Sequence, residues 1–417
     1  MTFGDLVIVA LAALVLLGIG THKGLTRRAR KVLVAGLVLR LVGGQLYLLI
    51  GEVIYGGTAD YWYYFHHGAL YAKALLAGTP EASGSYWLEL GVWWGTAFTI
   101  RTSGILIAAL SPSIYGAFLA FSLIGYLGVV AFALAFYRAF PAAPHYRYLL
   151  WLMFFPSLWY WPAALGKDAL MLAGIGVAVL GFVGRKSRPN WLLLAGGTAL
   201  VFAVRPPVAV VLLFAFGAGH WLVLMRRATA ARLEQGILIA TLGAGVLLMA
   251  AYTLDLSITN TSELGDYLVG TKSGASSAGG SSIAIDEGDA LNPVEGAVSV
   301  LARPFVWEAR SAPALFAAFE IITVWALAWL QRRRIKNFVR AYRGHPVVWM
   351  AMIFIVVYAI TLGMAAGNLG VIARQRIHLF PLLFMFLAGP LAVRQLRRGR
   401  SGASIPLKPP ALAERFV

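Results

Sequence analysis

Long blocks in which nearly every position is apolar dominate this chain, broken at short intervals by Arg and Lys clusters or by Pro and Gly. Residues 104–137 and 346–366 are apolar on all sides, the pattern of helices surrounded by lipid or by one another. Where no water can bond the backbone, only helices and closed barrels cross a membrane. A barrel needs alternating segments of about ten residues, whereas these runs are longer and unbroken. The expected fold is therefore all-α, a polytopic transmembrane helix bundle. The pattern predicts about eleven spans, near 4–20, 32–54, 113–137, 147–163, 168–184, 190–204, 208–225, 237–254, 313–330, 346–366 and 377–393. Residues 147–184 also read as a broken pair meeting at Pro162.

Composition agrees with that pattern. Of 417 residues, 60% are apolar and 12% charged, about half the ~25% charge of a soluble domain. The net charge of +18 invites a nucleic-acid partner, but the distribution of charge argues for none. Asp5 precedes the first apolar block, and Lys23, Arg27, Arg28, Arg30 and Lys31 follow it. That order predicts a retained first helix with its N-terminus outside. The loops 21–31, 138–146, 185–189, 226–236, 331–345 and the tail from 394, with Arg147, then hold 25 of the 35 Lys and Arg. Of the 17 acids, 14 fall on the other side. Cysteine is absent, which excludes disulfides, thiol catalysis and thiolate metal sites.

Two segments on the acidic, outer side are long. Residues 55–103 are too polar to span and carry Tyr61-Trp62-Tyr63-Tyr64-Phe65, Tyr86, Trp87, Trp93 and Trp94. They predict one or two helices lying in the membrane interface. Residues 255–312 contain the flexible Gly/Ser-rich run Ser273–Ser282. No internal repeat of the kind found in many secondary transporters is visible.

On this topology Asp60, His66, His67, Lys167, Asp168, Arg205, Arg303, Glu308, Arg374 and Arg376 all fall at one membrane level. Ionisable groups near membranes are costly and tend to be functional. Asp60, Tyr64, His67 and Tyr71 share a helical face, and a carboxylate beside a histidine suits general-base work. Thr58 or Asp60 would equally cap the helix, and Asp168 would complement a helix dipole. Lys167 reads alternatively as a snorkelling side chain. Arg205, Arg303, Arg374 and Arg376 suit bidentate phosphate recognition; contact with anionic lipid headgroups is the alternative.

The run Gly56-Gly57-Thr58-Ala59-Asp60-Tyr61 after an early span, with the interfacial helices that follow, resembles the first outer loop of the GT-C superfamily of membrane glycosyltransferases. The stretch from Trp94 through Ser111-Pro112-Ser113 to Phe136-Tyr137-Arg138 is similar too. Pro156-Ser157 to Lys167-Asp168, and Arg205-Pro206, resemble the mid-chain of members that use polyprenyl-phosphate sugars. Ala373-Arg374-Gln375-Arg376 with Pro381 resembles their late arginine-rich turn. The resemblance is continuous over about 50–225 and patchy over 300–390. It implies sugar transfer from a polyprenyl-phosphate-linked donor to a glycan or lipid acceptor, at the non-cytoplasmic face of a cell membrane. Asp60 would be the base, and Arg205, Arg374 and Arg376 would hold the phosphate; on the residues themselves Arg303, Lys167, Asp168, Glu308, His67 and Tyr64 complete the candidate substrate- and phosphate-binding set.

The resemblance and the charge pattern together imply five segments. Residues 1–31 are an additional N-terminal span with a basic cytoplasmic loop, and 32–254 a catalytic transmembrane module bearing loop 55–103. Residues 255–312 form a flexible outer loop, 313–393 the C-terminal helices, and 394–417 a basic cytoplasmic tail. Two departures from the family pattern stand out: the additional first span, and no separate soluble domain after the membrane part.

The chemistry is coherent on the residues alone. Fixed arginines stabilise charge developing on a phosphate leaving group, and a carboxylate takes the acceptor's proton. No His/Asp/Glu set has metal-ligand spacing, although Asp60 and Asp168 could share a divalent cation if they meet. No nucleotide-binding glycine loop is present. Polymerases and ligases of lipid-linked polysaccharide, a flippase for lipid-linked saccharide and a non-catalytic assembly subunit are the competing readings. The decisive expectation is spatial: Asp60, Arg205 and Arg374 or Arg376 in one outward cavity. The oligomeric state stays open.

Overall fold

The computed structural model describes residues 1–54, 56–57, 59–80, 84–85, 88, 91–185, 188–225 and 292–389. The expected span 237–254, the run Ser273–Ser282, Thr58, Tyr86, Trp87 and the tail 394–417 lie outside the described residues. The described residues form helices and no strand, apart from a lone bridge between Arg185 and Arg188. They fall into two compact units, divided between Pro206 and Pro207.

The first unit holds α1 (Phe3–Thr21), α2 (Arg27–Val53), α3 (Asp60–Leu76), α4 (Thr96–Leu110) and α5 (Ile114–Ala139). It continues with α6 (His145–Phe154), α7 (Pro156–Tyr160), a 3₁₀ turn Trp161–Ala163, α8 (Lys167–Val183) and α9 (Trp191–Val204). The second unit holds α10 (Pro206–Met225, from its second residue), α11 (Pro293–Ala302), α12 (Ala312–Leu330), α13 (Arg332–Tyr342), α14 (Pro346–Ala365), α15 (Leu369–Gln375) and α16 (Phe380–Leu387).

Among the described residues, six helices are long and apolar enough to cross a membrane: α1, α2, α5, α10, α12 and α14. The number reaches eight if each of two bent pairs is one span. Those pairs are Pro156–Ala163 with Lys167–Val183, bent by 117°, and Leu369–His378 with Phe380–Leu387, bent by 59°. Among the described residues, then, not every expected span is a long helix. Segment 190–204 is a 14-residue helix, roughly 21 Å long at 1.5 Å per residue, against a hydrocarbon core of about 30 Å. The apolar block 104–137 is two helices, parted at Ser111, whose φ of 47° is left-handed, and at Pro112.

Helix ends follow local chemistry. Thr2 caps α1, and Asp5 completes a capping box by accepting the Thr2 N–H at 2.7 Å. The same carboxylate accepts from the Ser113 N–H at 2.8 Å and Oγ at 3.0 Å, so it pins the start of α1 to the turn between α4 and α5. Glycines then set the helix spacing. A Cβ at Gly128 would meet the Ala173 backbone at 2.6 Å, and one at Gly176 would run into the Gly128 carbonyl. So α5 and α8 touch backbone to backbone, the small-residue contact favoured where lipid removes the hydrophobic drive for association. In the second unit Gly296 and Gly363 bring α11 onto α14 in the same way.

Arg40, halfway along α2 and 1% exposed, explains how the sharp bend is tolerated. The Leu158 carbonyl would normally accept from the N–H four residues on, but that residue is Pro162, which has none. Arg40 Nη2 donates to that carbonyl instead. Ser122 Oγ donates to the Ala163 carbonyl at 2.7 Å and satisfies the other side of the break. Arg40→Met is expected to orphan the Leu158 carbonyl and destabilise the first unit by about 1–3 kcal/mol. Arg40→Lys, which keeps a donor, should cost less. Thermal unfolding of the purified variants in detergent checks the order, and equal midpoints for Met and wild type would refute it.

Candidate functional site

The first outer loop begins with a fold-back. Gly56 (φ 59°) and Gly57 (φ 73°) take left-handed conformations that only glycine adopts freely. The Gly57 N–H donates to the Gly51 carbonyl at 3.1 Å. This returns the first turn of α3 onto the last turn of α2. There Glu52 Oε1 accepts from the Tyr61 hydroxyl at 3.1 Å and the Trp62 Nε1 at 2.6 Å. Burial, then the Glu52 hydrogen bond and charge, pushes the Tyr61 phenol well above its ordinary range, so it stays a donor.

Asp60 is the first residue of α3 and is exposed. Ala59 occupies the capping position without a side-chain bond, which corrects the expectation that Asp60 caps this helix. The buried stripe of α3 is Tyr61, Tyr64, Gly68, Ala72 and Ala74, so Tyr64 is a packing residue here. His67 is half-buried and packs against Tyr63 with ring centroids 4.0 Å apart. Burial, then the neighbouring His66, lowers its pKa and keeps the imidazole neutral. His67 lies two turns from Asp60, roughly 10 Å along the axis. The expected carboxylate–histidine pair is therefore corrected: a shared face is not a contact.

An aromatic floor joins this loop to the bend. Tyr47 lies 5.1 Å from Tyr160, 5.8 Å from Trp161 and 6.2 Å from Tyr61, centroid to centroid. Phe118 closes it at 5.3 Å from Tyr61.

A cationic end forms where α4, α8 and α9 meet. Pro207 cannot donate to the Ala203 carbonyl, and the Gly95 N–H does so at 2.8 Å. Next to it, Lys167 Nζ donates to Thr96 Oγ1 at 2.9 Å. α8 and α9 run antiparallel, with Gly181 against Leu194, Ala178 against Gly197 and Gly174 against Val201. Lys167 and Asp168 therefore share an end with Arg205. Asp168 is 2% exposed, and half-buried Arg205 has a buried Nε without an acceptor. Trp93 packs on Phe202 at 5.9 Å beside them. Lys167, Asp168 and Arg205 thus lie at one end of the α8–α9 pair, with Thr96 bonded to Lys167.

In the second unit Arg303 and Glu308 are occupied with one another. Arg303 donates Nε at 2.8 Å and Nη2 at 2.5 Å to Glu308 Oε1, and the Phe305 N–H donates to Oε2 at 2.8 Å. Burial raises the Glu308 carboxyl, but these bonds and the Arg303 charge outweigh it and hold it below the ordinary range. Arg374 is half-buried and Arg376 is 3% exposed. Arg376 feels the Glu320 charge, and its Nη1 is buried without an acceptor. His378 Nδ1 and the Tyr358 hydroxyl are bonded at 3.0 Å nearby in sequence.

No family model matches the chain, and no curated protein or solved structure matches it. The site therefore stands on its own geometry. Among the described residues no group of three or more His, Asp or Glu could hold a metal ion. Glu52, Thr96 and Arg40 are the residues that reading along the chain misses. For Glu52 a local signal exists, a carboxylate one turn before Gly-Gly and the aromatic run. For Arg40 the signal is a lone arginine within an apolar span, with a proline break at Pro162 further along the chain. Thr96 carries none, because its partner Lys167 is 71 residues away.

Proposed function

We propose that this chain is an integral-membrane glycosyltransferase of GT-C character. It would transfer a sugar from a polyprenyl-phosphate-linked donor to an acceptor hydroxyl at the non-cytoplasmic face, in the assembly of envelope glycan or glycolipid. The carrying observation is the cationic end, where Lys167 is fixed on Thr96 and the chain at Gly95 is fixed on Ala203 next to Arg205. The half-buried rings of Tyr47, Tyr160 and Trp161, packed over buried Tyr61, add an apolar surface for an isoprenoid or a sugar ring.

In this reading the acceptor oxygen attacks the anomeric carbon as the bond from that carbon to the phosphate oxygen breaks. The electron pair leaves with the polyprenyl phosphate, where Arg205 and Lys167 stabilise the new charge. The acceptor proton passes to the Asp60 carboxylate. A topology with the N-terminus outside places these groups on the non-cytoplasmic side. Repeated use of a lipid-linked acceptor would make the same chemistry a polymerase or ligase.

One observation favours a second reading, movement of lipid-linked saccharide across the bilayer. Arg376 is buried under the influence of Glu320 at a bent helix pair, and buried ionisable groups at broken helices are a mark of transporters. Purified full-length protein in proteoliposomes, given radiolabelled polyprenyl-phosphate sugars and a panel of glycan acceptors, separates the two. Transfer of label to an acceptor is expected. Movement of label between leaflets without transfer would replace the enzyme by a transporter.

A further inference from the structure

We infer that α13 is a lipid-headgroup-binding helix, lying along the surface of an anionic bilayer and gripping phospholipid phosphates through Arg333, Lys336, Arg340 and Arg343. The sequence Arg332-Arg333-Arg334-Ile335-Lys336-Asn337-Phe338-Val339-Arg340-Ala341-Tyr342 divides into two faces at helical spacing. Ile335, Phe338, Val339 and Tyr342 make one face. Arg333, Lys336, Arg340 and Arg343, at successive steps of three and four, make the opposite stripe.

The structure shows which face is occupied. Phe338 is fully buried and meets Phe386 of α16 at 5.7 Å. Arg334 Nη1 donates to the Gly389 carbonyl at 3.1 Å, just past the C-terminus of α16. The apolar face is therefore seated within its own unit, and Arg333, Lys336, Arg340 and Arg343 are exposed.

Two further observations choose the partner. α13 follows α12, one of the helices able to cross a membrane, after the single residue Gln331. It thus starts at the level where that span would leave the hydrocarbon. At that junction Trp329 and Leu330 are 68% and 73% exposed, and the Arg332 guanidinium sits 4.8 Å over the Trp329 ring. A tryptophan with an arginine on its face is an interfacial anchor, apolar below and cationic above. Residues 331–345 contain no Asp or Glu, and neither does 379–389, which includes α16. Glu320, the acid of α12, lies 12 residues before Arg332, roughly 18 Å along the helix. The stripe has no acid of its own to neutralise it, whereas an anionic leaflet supplies one at this height.

The experiment uses full-length protein in nanodiscs of phosphatidylcholine with and without phosphatidylglycerol, then counts lipids retained on extraction into detergent. Wild type is expected to retain phosphatidylglycerol over phosphatidylcholine. The triple variant Arg333→Gln/Lys336→Gln/Arg340→Gln should lose that preference by about tenfold or more, while Arg27→Gln/Arg28→Gln on another basic segment should not. Undiminished preference in the triple variant would overturn the assignment, and so would preferential capture of labelled RNA over phosphatidylglycerol vesicles. Should the triple variant fail to fold, a second measurement decides. The chain has no cysteine, so Lys336→Cys carries a single spin label. Collision with lipid-phase and aqueous relaxers should place it at the headgroup level; a fully aqueous signal would refute the inference.

Discussion

Asp60→Asn is expected to lower sugar transfer by about 10²–10⁴-fold while leaving donor binding largely in place. The amide keeps the size and the hydrogen-bonding oxygen of the carboxylate but cannot take a proton. If Asp60 acts as the base, the loss falls on the chemical step, so kcat drops and KM for the donor moves little. Asp60→Glu should recover part of the rate. Glu52 supplies the contrast. Its carboxylate is committed to Tyr61 and Trp62, and Glu52→Gln keeps an oxygen for both donors. Its effect should stay within about tenfold, expressed through placement of α3, since a neutral acceptor bond is worth only ~1 kcal/mol. The reverse ranking, with Asp60→Asn near wild type and Glu52→Gln inactive, would move the base to Glu52. The assay is initial-rate transfer from labelled polyprenyl-phosphate sugar by matched amounts of folded protein.

Gly176→Leu is expected to abolish the fold of the first unit. The Gly176 Cβ position points at the Gly128 carbonyl, with Phe132 at 3.1 Å, and Gly128 itself faces the Ala173 backbone at 2.6 Å. Backbone cannot rotate aside as a side chain can, so α5 and α8 must separate. Overpacking in soluble cores costs about 1–3 kcal/mol when side chains can adjust; here the loss should exceed that range. α8 is apposed to α9 through Gly174, Gly197 and Gly181 as well, so separation on one side disturbs the other. Gly196→Leu is the matched control, since nothing lies within 4 Å of its Cβ position. Size-exclusion profiles of the two variants should show aggregate for Gly176→Leu and a wild-type peak for Gly196→Leu. A monodisperse Gly176→Leu protein with a wild-type melting point would refute the argument.

Much of this architecture is written locally. Hydrophobicity on all sides marks the long helices, and proline and glycine mark where they stop. Pro162 and Pro206-Pro207 each fall at a break that the chain pattern anticipates. The acidic and basic clusters at helix ends are equally visible, with Lys167, Asp168 and Arg205 among the ten groups they mark. Helical spacing misled at α3, because it places Asp60, Tyr64 and His67 on one face without saying that two turns separate the ends. It also cannot say that Tyr64 belongs to the buried side.

What only the tertiary structure decided is which distant group answers each break. A proline orphans a carbonyl at a position readable from the sequence, but the donor arrives from elsewhere in the chain. Arg40 reaches Leu158 across 118 residues, and Ser122 reaches Ala163 across 41. The Gly95 N–H takes the place that Pro207 cannot fill at Ala203. Helix propensity and apolar pattern act over a few turns, so the sequence itself determined the long apolar helices and where prolines interrupt them. Satisfying a buried polar group depends on what packs beside it. For that reason the donors that answer the Pro162 break and the Lys167–Thr96 bond belong to the fold alone.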